Sequence, residues 1–410
     1  MVQQPTGGGP RTADRAVPSP PPGPFPLRQF IVKAHSRCNL ACDYCYLYAG
    51  PDHGWRGRPR TPGPAVTRRT AERIAEHAAA HGLSDIAVVL HGGEPLLAGA
   101  DRLAADIGLI RALVPNGCRV HASVQTNGTL LTRDRIRRLH AAGIRIGVSL
   151  DGGLPAHNTA RVDHAGRPAW PAAAAGLRLL ADTAPEAYAG VLCVVDVRQD
   201  PAAVYGSLLD LRPPAIDLLL PHGNWTAPPP GLPAPADDPA PYGRWLTTVF
   251  DLWWHADRRR TRIRLFEECV ALLLGVPAAT ERLGLQPFTA VVVETDGTIE
   301  QVDSLKSAYE GAAATGMDVF RNSFDDALAH PGVAARQSGL AALSATCRAC
   351  ALVTVCGGGH YAHRYRAPSG FGHPSVYCAD LAHLVRHTAA RLTEAAASGH
   401  ARTTFRETLR

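Results

Sequence analysis

At 410 residues, with 46% apolar residues and a net charge of +6, the chain has the bulk of a globular protein of one or two domains. That charge is too modest for this length to indicate nucleic acid, and no run approaches eighteen consecutive apolar residues, so no membrane span is expected. The N-terminus lacks the apolar core of a secretory signal, so the 10 cysteines are expected in the reducing cytoplasm, where cysteine clusters usually serve metal or catalysis.

Residues 1–27 are rich in Gly, Pro and Ser and are expected to form a flexible leader, because they cannot bury enough surface to fold. Strands are expected at 28–34, 86–91, 119–126, 144–151, 190–197 and 216–221, with helical patterns between them such as 67–82 and 132–143. The alternation predicts an α/β fold, a partial barrel of six parallel β/α units over residues 28–221. In such a fold, site residues gather where strands end. Cys38, Cys42 and Cys45 follow the first strand; Gly92, Gly93 and Glu94 follow the second; Asn127 follows the third; Ser149 and Asp151 close the fourth. A proline-rich stretch, 222–242, opens a linker with bridging helices that runs to 287. A hairpin is expected at 288–305, within a cysteine-bearing unit spanning 288–384, and a C-terminal helix and tail occupy 385–410.

Three thiols spaced C-x3-C-x2-C suit a [4Fe–4S] cube with one iron left open; a zinc knuckle completed by His35 or His53 is the alternative. "CNLACDYC" (38–45), with Tyr44 as the aromatic, resembles the signature of radical S-adenosylmethionine (SAM) enzymes. The resemblance implies that the SAM amine and carboxylate chelate the open iron, and that one electron then yields a 5′-deoxyadenosyl radical. It implies further that Gly92 and Gly93 let the backbone approach the ligand and that Glu94 accepts from the SAM ammonium. Asn127, Ser149 and Asp151 match elements contacting the SAM carboxylate and ribose, and Arg161 sits where related maturases place an arginine near that carboxylate.

Cys347, Cys350, Cys356 and Cys378 are enough to close a second site around zinc or an iron–sulfur cube. Downstream of such a barrel they resemble a SPASM domain, here truncated: His360 and Val302 stand where cysteines are expected. The resemblance implies one auxiliary [4Fe–4S] cluster, two clusters in all, and a base role for Asp303 beside the lost cysteine. Cys118, Cys193 and Cys269 fall outside the spacing and are expected in the core. The segments "VVVETDGTIEQVDSLK" and "CRACALVTVCGGGHYAHRY" resemble FxsB-type maturases. That similarity implies a ribosomal precursor peptide as substrate and a C–C bond between an aromatic ring and the β-carbon of a residue two positions on, a three-residue cyclophane. A reductant such as ferredoxin or flavodoxin is implied, and leader recognition is expected to be internal, supplied by a separate protein, or weak. Thioether formation, epimerisation and aldehyde-forming maturation are the alternatives within the class; a zinc-stabilised binding protein is the alternative outside it. Trp225 in "HGNW" is a candidate peptide contact, with core packing as its other reading.

Overall fold

The computed structural model describes residues 24–232, 236–277 and 281–397; the expectations for 1–23 and 398–410 lie outside them. β1 (Gln29–His35), β2 (Asp85–Gly92), β3 (Arg119–Thr126), β4 (Ile144–Ser149), β5 (Tyr188–Val194) and β6 (Ala215–Leu219) lie side by side in that order, all parallel. Helices α1 (Pro64–Ala80), α2 (Ala100–Leu113), α3 (Arg133–Ala141), α4 (Trp170–Thr183) and α5 (Pro201–Leu209) connect them. The α3 start follows its sequence signal: the Thr132 side chain accepts from the Arg135 N–H at 3.3 Å, satisfying a donor the helix itself cannot.

Side-chain alternation splits the sheet into two faces. Phe30, Ile86, Val88, Leu90, Val124, Ile146 and Val148 are fully buried in one core with Ile74, Leu103, Ile107, Ile136 and Leu139 of the helices. Removing that apolar surface from water is the main stabilising term. The alternate positions near the strand ends are polar, including Lys33, His91, Gln125 and Ser149. Polar groups therefore concentrate at the C-terminal mouth.

After α6 (Pro241–Trp254), the short β7 (Arg262–Ile263) extends the sheet beyond β6, and α7 (Arg264–Leu273) follows. The expected hairpin is present as β8 (Ala290–Val293) and β9 (Thr298–Glu300), continued by β10 (Ala314–Asp318). It does not form a separate sheet. β8 pairs in parallel with β1, so the strand order is β10-β9-β8-β1-β2-β3-β4-β5-β6-β7. The C-terminal helix, Cys378–Ala397, packs against α6, where Gly243 permits close approach: a Cβ there would lie 2.7 Å from the Asp380 carbonyl oxygen.

Residues 24–27, counted with the flexible leader from composition, are fixed. Leu27 is fully buried with its N–H donated to His77 Nε2 at 2.9 Å, and the Phe25 backbone exchanges two hydrogen bonds with the Gln337 side chain. Among the described residues no helix is long and apolar enough to cross a membrane.

Candidate functional site

The loops after β1 to β6 converge at the mouth of the sheet, and the cysteine loop at 38–45 is held there mainly by backbone contacts. Ala41 N–H donates to the Val162 carbonyl at 2.7 Å, Leu40 bridges Asp163, and His164 Nε2 lies 2.9 Å from the Cys38 carbonyl. The 155–168 segment had no sequence signal beyond Arg161, yet it anchors this loop. From the other side, Gly93 N–H donates to the His35 carbonyl and Glu94 N–H to the Arg37 carbonyl, at 2.9 and 3.1 Å. Gly92 and Gly93 therefore permit close approach to the 35–37 backbone. A side chain at Gly92 would collide with the His35 carbonyl, and one at Gly93 with Tyr48 Oη and the Arg37 carbonyl. Gly93→Ala should displace the cysteine loop and cut iron incorporation several-fold with little change in helical content, read by iron assay and circular dichroism.

Glu94 is fully buried, and its carboxylate accepts from Asn127 N–H (2.7 Å), Thr126 Oγ1 (2.7 Å) and Leu96 N–H (2.9 Å). It braces the β2 exit against the β3 exit. Asn127 in turn points its Nδ2 at Cys38 Sγ, 3.7 Å away, and at Asn39 Oδ1, 2.9 Å away. Tyr44, Asp151 and Arg161 form one buried group. The Tyr44 hydroxyl donates to Asp151 Oδ2 at 2.5 Å, and Arg161 donates to the Tyr44 oxygen at 2.6 Å while lying 3.8 Å from Asp151. Ser149 Oγ accepts from Gln125 Nε2 at 2.9 Å on the same mouth.

Burial pushes the Cys38 thiol up to about 12 and Cys42 to about 11; Glu94 and the neighbouring cysteines add to the first, and Arg161 opposes the second. Three such thiolates need a strongly cationic occupant to be stable, as an iron–sulfur cube provides. In the second set, burial raises Cys356 to about 11 with Cys378 and Cys347 adding, and Cys378 feels Cys347 and Cys350. Both sets offer soft thiolate donors, which an iron–sulfur cube or zinc accepts. His35 is engaged through its Nδ1 with the Arg37 backbone.

Asp303, expected as a base, lies 5% exposed among charged partners. Lys33 Nζ donates to its Oδ2 at 2.6 Å, and Lys306 Nζ lies 3.2 Å from Oδ1. Burial opposes the charge, but the two ammoniums prevail and hold the carboxyl far below its usual range. It belongs to a buried ion network that sequence reading missed: Lys306 also meets Glu294 at 2.6 Å and Glu300 at 2.8 Å, and Arg58 pairs with both.

His91 borders this network, 3.5 Å from Lys33 Nζ, and burial with the lysine lowers it to about 4. The unfolded chain takes up a proton near pH 6.5 that the folded one refuses until about pH 4. This contribution is complete above pH 6.5 and is lost as pH falls toward 4, by about 2 kcal/mol at pH 5. Urea midpoints at pH 7 and pH 5 should differ less in His91→Gln than in the parent.

A cleft of about 600 Å³ opens beside the cysteine loop, lined by Tyr44, Cys45, Tyr46, Asp151, His222 and the 227–230 segment among others. The proline-rich stretch expected as a linker thus walls the cleft. His222 continues the rule that strand ends carry the site, since it follows β6, and that rule could have found it. Trp225 is neither core nor a cleft-lining residue; it is 43% exposed, with its Nε1 donating to the Pro374 carbonyl. His360 packs with His222 and His363, their ring centroids 4.9 to 5.4 Å apart. Burial holds His222 at about 4 and the other two well below the usual histidine range, so all three rings are neutral. Cys193 and Cys269 are fully buried as expected, and Cys118 packs against the core.

Residues 32–183 match the model of the Radical SAM superfamily. The chain is 26% identical over 347 residues to the serine-type anaerobic sulfatase-maturating enzyme of Klebsiella aerogenes, covering 84% of this chain and 82% of that relative. It is 25% identical to the cysteine-type enzyme of Clostridium novyi over 68% of this chain and 73% of that one. The fold is similar to the solved structure of native anSMEcpe with bound AdoMet (TM-score 0.75, 20% identity, 90% of this chain and 99% of that one). It is similar, too, to the same protein with bound AdoMet and Cp18Cys peptide (TM-score 0.72, 21% identity, 91% and 100%).

Proposed function

From a radical SAM core over residues 32–183, we propose that this enzyme modifies a ribosomally made precursor peptide, linking an aromatic ring to the β-carbon of a residue two positions on. One arrangement carries the assignment: Cys45 of the three-cysteine loop lines a single cleft of about 600 Å³ together with Tyr44 and Asp151, which Arg161 braces from behind. That volume suits a cofactor together with a few peptide side chains. The peptide is supported by the relatives' names and by the peptide complex among the similar structures. The cyclophane is supported by the sequence resemblance of the segments around 291–306 and 347–365 to FxsB-type maturases.

Cys38, Cys42 and Cys45 would hold the SAM-binding cluster, and Cys347, Cys350, Cys356 and Cys378 the auxiliary one. Bound there, clusters and SAM supply one-electron chemistry and a hydrogen-abstracting carbon radical. The chain's own part is positioning. Arg161 keeps a buried positive charge beside Cys42, favouring thiolate there. Asn127 points a donor at Cys38 Sγ, a contact of the kind that tunes a cluster's potential. Tyr44 and Asp151 hold each other rigid in the wall, and Pro228, Pro229 and Pro230 fix another part of it at low entropic cost. Cys350 and Cys378 are exposed, so a cytoplasmic reductant such as ferredoxin or flavodoxin has an approach to the second set.

Aldehyde-forming oxidation of a serine or cysteine is the second reading, favoured by the sulfatase-maturating relatives. Co-expression with a precursor peptide, followed by tandem mass spectrometry and hydrazide labelling, separates the two. Ring closure and serine oxidation both remove two hydrogens. The cyclophane reading predicts no hydrazide adduct and a fragmentation block across three residues; an adduct with full fragmentation would replace it with the aldehyde.

A further inference from the structure

Three groups of histidine and carboxylate residues among the described residues bring their ligand atoms within 4.8 Å of one another. His77, His81 and Asp325 lie at an exposed edge, and Glu294, Glu300 and Asp303 already surround Lys306. The third is His222, His360 and His363, from the β6 exit and the turn after the Cys356 helix.

We propose that His222, His360 and His363, with Glu281 completing the shell, bind one divalent transition-metal ion of the zinc class, separate from both cysteine sites. His363 Nε2 and His222 Nδ1 are 3.3 Å apart, and His360 Nε2 lies 3.3 Å from Glu281 Oε2. Ligands on a tetrahedral ion with metal–nitrogen bonds of about 2.0–2.1 Å sit about 3.3 Å from one another. An imidazole–imidazole hydrogen bond accounts for the first pair alone; it does not gather a third ring and a carboxylate. All four residues line a cavity of about 320 Å³, so there is room for an ion and its water.

Most cations near the cavity are already engaged. Arg282 pairs with Asp217 and Glu268, and Arg264 lies 3.7 Å from Asp217. Arg364 donates to the carbonyls of Gly357, Gly358 and Gly359, whereas Arg336, 3.5 Å from Glu281 Oε1, would share that carboxylate with the ion on Oε2. Three imidazoles and a carboxylate form a borderline donor set suited to zinc or another late divalent ion. His222 lines both this cavity and the 600 Å³ cleft, so the ion would stand one side chain behind the cleft wall. It would clamp the β6 exit to the 360–363 turn, replacing loose polar packing by fixed bonds.

The test uses anaerobic holoenzyme with both cysteine sites loaded with iron and sulfide, titrated with zinc and freed of excess ion by gel filtration. Metal analysis should find one zinc per chain, and zinc X-ray absorption should show nitrogen and oxygen at about 2.0–2.1 Å with no sulfur shell. His222→Gln and His363→Gln should each lower zinc affinity at least about ten-fold while keeping the parent's iron content and circular dichroism. Absence of stoichiometric zinc, a sulfur shell, or undiminished zinc in both variants overturns the proposal. Should a variant also lose iron, the absorption spectrum of the parent holoenzyme decides alone.

Discussion

A protein in which Cys38, Cys42 and Cys45 are all alanine is expected to fold, to carry about four fewer irons per chain than the parent, and to cleave no SAM. Folding should survive because the loop is placed by backbone and side-chain contacts that the sulfurs do not make. Ala41 bonds to Val162, Leu40 to Asp163, and Tyr44 to Asp151 and Arg161. Alanine at Cys347, Cys350, Cys356 and Cys378 should remove a similar amount of iron, yet leave SAM cleavage measurable and abolish the crosslinked product. Iron assay, chromatographic detection of 5′-deoxyadenosine and peptide mass spectrometry separate these outcomes. SAM cleavage persisting in the first variant would remove the assignment of the three-cysteine loop.

The largest stability effect is expected at Lys306, which is 3% exposed and lies among Glu294, Glu300 and Asp303 at 2.6, 2.8 and 3.2 Å. Lys306→Met keeps the length of the stem and removes the charge, leaving Lys33 and Arg58 to balance three buried carboxylates. Breaking a buried ion group in this way costs about 3–5 kcal/mol, a large part of the usual margin of about 5–15 kcal/mol of a folded protein. Urea denaturation of apo-protein measures it. Adding Glu300→Gln to the same variant should recover much of the loss, because it restores two cations against two carboxylates while Arg58 keeps Glu294. A glutamine rescue that fails, with the single variant still destabilised, would point to lost packing instead.

How much of this was legible beforehand follows the range of the physics involved. Six parallel strands and the start of α3 are local matters of alternation and capping, so they could be read from short windows. The cysteine spacing is equally local, in the first loop and across residues 347–378. Asp303 shows the opposite case: its neighbour Lys33 is 270 positions away, and no pattern near residue 303 announces a partner on the first strand. Gly92 and Gly93 mark a close approach in the sequence, and that they pack on the 35–37 backbone is visible only in the folded chain. The composition of the 222–242 stretch marks a boundary. Proline marks rigidity without saying what the rigid segment faces, and here it faces the cleft.

The seating of β8 against β1 has a consequence for biosynthesis. Gln29 is aligned with Ala290 and Val32 with Val293, so the strand that leads into the cysteine loop keeps one bare edge until nearly three-quarters of the chain has left the ribosome. Contacts of such sequence separation form late and leave unpaired edges open to wrong partners meanwhile. Iron loading of Cys38, Cys42 and Cys45 is therefore expected to follow release of the chain. A nascent chain stalled before residue 290 should present these thiols to alkylating reagents far faster than the finished protein does.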